Sequence, residues 1–200
     1  MKEIVIATKN PGKAKEFQEM FAPLGYQVKT LLDYPEIPDV EETGQTFQEN
    51  ALLKAKEIAN QLNCPVIADD SGLAIDALGG RPGVYSARYA GEPKNDERNI
   101  QKVLEELKDV PDNERTAHFI CVLAVVVPGR EPLLFEGRCD GVILREKRGE
   151  NGFGYDPIFY VPEQGKTMAE MTPAEKHSVS HRGKALAKFK NWLENEWTGE

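Results

Sequence analysis

A chain of 200 residues with 40% hydrophobic and 29% charged residues can bury a sizeable core and reads as globular, and no apolar run approaches a membrane span. Its net charge of −8 excludes a surface built to grip a nucleic-acid backbone and restricts any polyanionic ligand to a small one in a local basic pocket. The 3 cysteines, Cys64, Cys121 and Cys139, are widely spaced with no CxxC pair, so neither a zinc site nor a disulfide framework is indicated and a reducing cytoplasm is the expected home.

In chain order, residues 3–8 are strand-like. The N-terminus enters this strand at once, with no long apolar stretch before a cleavage site, so a signal peptide is not expected. Residues 12–21 are helix-like, with Ala14, Phe17 and Phe21 at helical spacing. Thr8-Lys9-Asn10-Pro11-Gly12-Lys13 joins the two. A small polar turn before a helix N-terminus suits phosphate: the Thr8 hydroxyl, the Asn10 amide and backbone N–H groups donate, and Lys13 adds a point charge. The GxxxxGK[ST] spacing of a P-loop is missing, and taken alone the segment reads first as an ordinary strand-to-helix turn with a surface lysine.

Residues 46–62 form the clearest helix, with Phe47, Ala51, Ala55, Ile58 and Leu62 along one face and Thr46 and Glu49 at capping-box spacing. Asn50 and Lys54 share a helix face, and Glu41-Glu42-Thr43-Gly44 precedes the cap. Acidic residues near a helix start are ordinary, because the helix dipole favours them there; the functional alternative is a metal ligand. A strand over residues 65–69 follows and is expected to end in Asp69-Asp70-Ser71-Gly72. Ligands gather at such strand ends in α/β sheets. Two adjacent carboxylates repel unless a cation sits between or beside them, and Mg²⁺ suits hard oxygen donors while leaving room for phosphates.

Residues 96–108 read as a helix with Ile100, Val103, Leu104 and Leu107 buried. Strands are expected at 116–127, 132–135 and 141–145, joined by short turns and hence antiparallel, with His118 a core or sheet-surface residue. Gly152-Phe153-Gly154-Tyr155-Asp156-Pro157 sets an aromatic between glycines, where a ring can meet a flat base. Thr172-Pro173 starts a short helix, and a last helix spans 181–195. Lys176, His177, His181 and Arg182 form a polar cluster there; without HExxH, a cysteine or a third nearby histidine, the histidines do not make a zinc site. The fold read from this pattern is a single α/β domain over residues 1–200, with a long twisted mixed β-sheet and flanking helices forming two lobes around a central cleft.

Thr8 to Lys13, Glu41 to Gly44, Thr46-Phe47, Glu49 to Ala51, Ala68 to Leu73, Pro82 to Tyr89, Gly152 to Pro157 and Ser180 to Arg182 together resemble the inosine triphosphate pyrophosphatase family over nearly the whole chain. The resemblance implies a homodimer without nucleic-acid or membrane partners. It implies Mg²⁺-dependent hydrolysis of ITP, dITP, XTP and dXTP to monophosphate and pyrophosphate, cleansing the nucleotide pool. By position it makes Asp70 the general base and a metal ligand, Glu41 the other metal ligand, and Glu42 the second candidate for that role. It makes Thr8, Lys9, Asn10, Pro11, Gly12, Lys13, Ser71, Phe153, Gly154, Tyr155, Asp156, Lys176, His181 and Arg182 substrate-binding residues. The rivals are a Maf-like pyrophosphatase of modified pyrimidine triphosphates and a non-catalytic nucleotide-binding protein.

Overall fold

The computed structural model describes residues 2–196. In chain order the elements are β1 (Lys2–Ile6), α1 (Pro11–Phe21), β2 (Tyr26–Thr30), α2 (Phe47–Leu62), β3 (Val66–Ile75), α3 (Asp96–Glu106), β4 (Thr116–Val126), β5 (Leu133–Ile143), β6 (Phe159–Val161), β7 (Lys166–Thr167), α4 (Pro173–Val179) and α5 (His181–Asn195), with short 3₁₀ turns between them. The strands make one mixed seven-stranded sheet in the order β2-β1-β3-β4-β5-β6-β7. β1 pairs in parallel with β2 and β3, whereas β6 pairs antiparallel with β5 and β7. This is the mixed α/β sheet expected from the sequence. The residues divide into two compact units: Met1–Asp70, Cys121–Gly137 and Arg182–Glu200 form one, Ser71–Ile120 and Arg138–His181 the other.

In the first unit both faces of the central strands β3 and β4 are buried, and the two-residue period of the pleat sorts the side chains. Val5 and Ala7, Val66 and Ala68, and Val122, Ala124 and Val126 pack with Ala51, Ala55, Ile58 and Ala59 of α2. The intervening Ile6, Ile67, Cys121, Leu123 and Val125 pack instead with Phe17 and Phe21 of α1 and Ala185, Leu186 and Phe189 of α5. The helical stripes expected at 46–62 and 181–195 are therefore the inward faces of α2 and α5. α2 is capped by Thr46, whose hydroxyl accepts from Glu49 N at 3.1 Å.

The second unit has its own core. Leu73, Ile75, Ile100, Val103, Leu107, Phe119, Ile143, Ile158, Phe159 and Met168 meet there. Phe119 and Phe159 lie 4.3 Å apart between ring centroids. Buried Arg115 ties the end of α3 to the end of β5 through bonds to the carbonyls of Leu107 (2.6 Å), Ile143 (2.8 Å) and Leu144 (3.0 Å).

Two expectations are corrected. The strand expected over 65–69 runs on to Ile75, so Asp69 and Asp70 lie inside β3 rather than at its end. Mid-strand carboxylates are tolerated because each meets its own cation, as described below. The strands expected at 132–135 and 141–145 are one continuous strand, β5. Between Gly137 and Ile143 the odd-numbered positions are buried and the alternate Arg138 and Asp140 face solvent, so the polar residues mark an exposed face and not a turn.

Candidate active site

The loop between β1 and α1 is organised by its own side chains. Asn10 is the N-cap of α1, with Pro11 in the first helical turn. Its Oδ1 accepts from Gly12 N at 2.9 Å and Lys13 N at 3.2 Å, while the Thr8 hydroxyl accepts from Asn10 N at 3.1 Å. These N–H groups, expected to face a phosphate, thus bond within the loop. Lys9 reaches away, donating to the Ile37 carbonyl at 2.7 Å and pairing with Asp39 at 3.0 Å. Lys13 turns inward and pairs with Asp69 at 2.5 Å.

The pleat sends the neighbouring carboxylates of β3 to opposite faces. Asp69 shares the face of Ile67 and meets α1 and α5. It takes Lys13 on Oδ1, and on Oδ2 both Arg182 Nε and the Cys121 thiol, each at 3.0 Å. Arg182 also donates to Glu16 at 2.5 Å, and its guanidinium lies over the Phe17 ring. Lys13 and Glu16, three residues apart on α1, reach the same buried cluster because they share a face. Burial would raise the Asp69 pKa, but Arg182 and Lys13 outweigh it and hold the carboxyl well below the usual range. Burial, reinforced by Asp69, pushes the Cys121 thiol well up, so it stays protonated.

Asp70 shares the face of Val66 and Ala68 and points toward α2. There Lys54 lies 3.8 Å from Asp70 Oδ1, 2.9 Å from Glu42 Oε1 and 2.7 Å from the Asp69 carbonyl. Asp70 Oδ2 is buried with no hydrogen-bond partner. Burial lifts the Asp70 pKa to about 6, Glu42 and Asp69 push it the same way, and Lys54 and Lys13 offset this only in part. For Lys54, burial would lower the pKa, but Asp70 and Glu42 prevail and raise it.

Glu41, the metal ligand expected from the resemblance, is exposed, whereas half-buried Glu42 is the carboxylate brought to Lys54 and Asp70. Lys54 was visible in the sequence only as a residue sharing a face with Asn50. Its place between two carboxylates was missed, although its helical position one turn beyond Asn50 carried the signal.

In the second unit, the Gly152 to Asp156 turn is fixed by Asp156. Its Oδ2 accepts from Phe153 N at 3.1 Å and from buried Lys176 at 2.7 Å, and the Lys176 ammonium lies 4.9 Å from the Phe153 ring centroid. A side chain at Gly152, whose φ is +74°, would collide with the Asp156 carboxylate. Gly154 N donates to Asp96 at 2.9 Å and the Tyr155 hydroxyl to the Ser86 carbonyl at 2.6 Å. His181 opens α5 and stacks on Phe119 at 4.7 Å. Ser71 is half-buried on β3. Lys176, Phe153 and Asp156 therefore form one group, while Arg182 belongs to the Asp69 cluster.

Asp69→Asn removes the anion between two buried cations, so unfolding stability should fall by about 3–5 kcal/mol in urea titrations. The sign in pH follows from the lowered native pKa: the stabilisation is present above the unfolded value and is lost as pH falls below about 4. Wild type should thus converge on the variant in acid; equal stability at pH 7 would contradict the cluster's role.

Comparison with known proteins places this geometry in a family. The model of the Ham1 family matches residues 4–192. The dITP/XTP pyrophosphatase of Geobacillus kaustophilus (strain HTA426) is 62% identical over 197 residues, covering 98% of this chain and 95% of that protein. The dITP/XTP pyrophosphatase of Bacillus anthracis is 55% identical over 202 aligned residues, with 100% of both chains covered. The Staphylococcus aureus Ham1 protein superimposes with a TM-score of 0.85 at 49% identity, covering 98% of this chain and 100% of that one. A HAM1 protein from Coxiella burnetii gives the same TM-score of 0.85 at 47% identity, with 97% and 99% covered. With a match running from the first strand into the last helix, and relatives of full length, the chain belongs to the Ham1 family.

Proposed function

We propose that the protein hydrolyses the triphosphates of deaminated purines, ITP, dITP, XTP and dXTP, to the nucleoside monophosphate and pyrophosphate. The observation that carries this reading is Asp70: a buried carboxylate whose Oδ2 has no partner and whose pKa lies near 6. Such a group is ionised at pH 7 yet basic enough to take a proton from water. The names of the relatives, dITP/XTP pyrophosphatases, supply the substrate class.

Mg²⁺ is the cofactor in this reading, held by Asp70 and Glu42, with Glu41 next to Glu42 in the chain. The donor set fits: the open Asp70 oxygen and the nearby Glu42 carboxylate are hard donors, and Mg²⁺ is usually held by one or two carboxylates with substrate phosphates completing its shell. When bound, Mg²⁺ offsets triphosphate charge and orients the attacking water.

The chain's own residues do the rest. The Asp70 carboxylate accepts the proton, on the oxygen that does not hold the cation, as the water oxygen attacks the α-phosphorus. The bond from that phosphorus to the α–β bridging oxygen breaks, and pyrophosphate leaves with its electron pair. Lys13, held in place by Asp69, balances the charge that develops on the leaving group, with Thr8 to Gly12 shaping the loop around it. For the base, Phe153 stacks on the purine, and Lys176, His181 and nearby backbone N–H groups present donors to its 6-oxo group. Arg182 acts through Asp69. ATP, with an amino donor at that position, leaves those donors unpaired, which is a costly mismatch in a buried site. The reading includes a cytoplasmic homodimer; among the described residues no helix is long and apolar enough to cross a membrane.

A panel of nucleoside triphosphates with Mg²⁺, resolved by chromatography, tests the substrate class. ITP and XTP should be hydrolysed best, GTP poorly and ATP least, each giving monophosphate and pyrophosphate. Preference for modified pyrimidine triphosphates, or absence of turnover on every member, would overturn the proposal.

Asp70→Asn keeps the shape and removes the base, so turnover should fall roughly 10²-fold or more. The native pKa of Asp70 is raised, so without metal its ionisation costs stability as pH rises from about 4 through about 6, and the cost is constant above that. The variant should therefore be more stable than metal-free wild type at pH 7, by on the order of 1–3 kcal/mol. Near-normal turnover, or a variant less stable than wild type without metal, would contradict this role for Asp70.

A further inference from the structure

Asn50 is a polar amide on the buried face of α2, only 1% exposed. Its neighbours on that face, Ala51, Ala55, Ile58 and Ala59, are apolar core residues. A buried amide among them is unfavourable unless its donors and acceptor are used. They are used on one residue: Oδ1 accepts from Gly44 N at 2.7 Å, and Nδ2 donates to the Gly44 carbonyl at 3.3 Å. The side chain grips the backbone at Gly44 from both sides, as a strand neighbour would.

Gly44 is required by the closeness of this grip. A Cβ there would lie 2.6 Å from Asn50 Oδ1 and 2.7 Å from Glu49 Cβ, so any other residue pushes the segment off the helix. The next backbone group is held as well, with Gln45 N donating to Glu49 Oε2 at 2.7 Å. Two residues before the grip stands Glu42. One helical turn beyond Asn50 stands Lys54, which takes Glu42 Oε1 at 2.9 Å and lies 3.8 Å from Asp70. The helix therefore carries both fixtures of the acidic segment on one face, four residues apart: an amide for its backbone and an ammonium for its carboxylate.

We propose that Asn50 and Gly44 form a positioning pair that sets Glu42 in register with Asp70, so that the two carboxylates are presented together to a divalent cation. The inference rests on the reading of Glu42 and Asp70 as metal ligands. Asn50 touches neither substrate nor metal; it is a positioning residue. Residues that orient a metal ligand in this way typically contribute 10- to 100-fold to metal affinity.

The test uses the whole chain with Mg²⁺ alone and then with ITP. In wild type, Mg²⁺ alone should raise the melting temperature with a saturable midpoint. In Asn50→Ala that midpoint should move about 10-fold higher. Turnover of ITP at limiting Mg²⁺ should fall by a similar factor and recover as Mg²⁺ is raised, with KM for ITP at saturating Mg²⁺ changed less than twofold. Gly44→Ala, which leaves the amide in place and displaces the segment, should behave alike, and it decides the matter if Asn50→Ala does not fold. The double variant should be no worse than the weaker single one, because both break the same contact. Unchanged Mg²⁺ midpoints in both single variants, or a loss of turnover that excess Mg²⁺ does not restore, would overturn the pairing. A wild-type protein whose melting temperature and ITP turnover ignore Mg²⁺ would instead overturn the metal reading on which the pairing rests.

Discussion

The buried ion cluster around Asp69 is the constraint on which the phosphate-handling part of the structure depends. A carboxylate with 0% side-chain exposure cannot stay ionised by itself, since desolvation would cost several kcal/mol. It stays ionised because Lys13 and Arg182 both bond to it, and Arg182 in turn needs Glu16. Each group is a poor occupant of the core without the others. The closed set fixes the register of α1 and α5 against β3 and presets the direction of Lys13. Conformational order is what such a cluster supplies, more than net stability, because a well-packed apolar replacement can be equally stable.

Its neighbour obeys the opposite logic. One step along β3 turns Asp70 to the α2 face, where a single lysine stands 3.8 Å away and one carboxylate oxygen has no partner. Two adjacent aspartates thus differ in acidity: Asp69 is held well below the normal range and Asp70 is lifted to about 6. The backbone pleat, and not the residue type, sets that difference. Paired carboxylates driven apart in pKa are a familiar way to divide structural and proton-transfer roles.

The helices were legible in the sequence because their apolar stripes are long and regular; α2 and α5 lie where the periodicity of Phe47 to Leu62 and Ala185 to Leu193 puts them. Short strands were not. β6 has 3 residues and β7 has 2, too few for any alternation to register. β2, Tyr-Gln-Val-Lys-Thr at the sheet edge, mixes polar and apolar residues like a loop. The candidate site residues stand in motif order along the chain, but how the fold groups them was not readable from that order. Asp69 and Asp70 look like one acidic pair when the strand is taken to end there, and only its continuation to Ile75 separates them by face. Arg182 looks like a surface cation at a helix start until Glu16, 166 residues away, is seen to hold it.

Hydrolysis of ITP in ¹⁸O-enriched water bears most directly on the claim that Asp70 activates water for a single in-line attack at the α-phosphorus. One labelled oxygen should appear in inosine monophosphate and none in pyrophosphate. Label in the pyrophosphate, or inosine diphosphate and phosphate as the products, would contradict it.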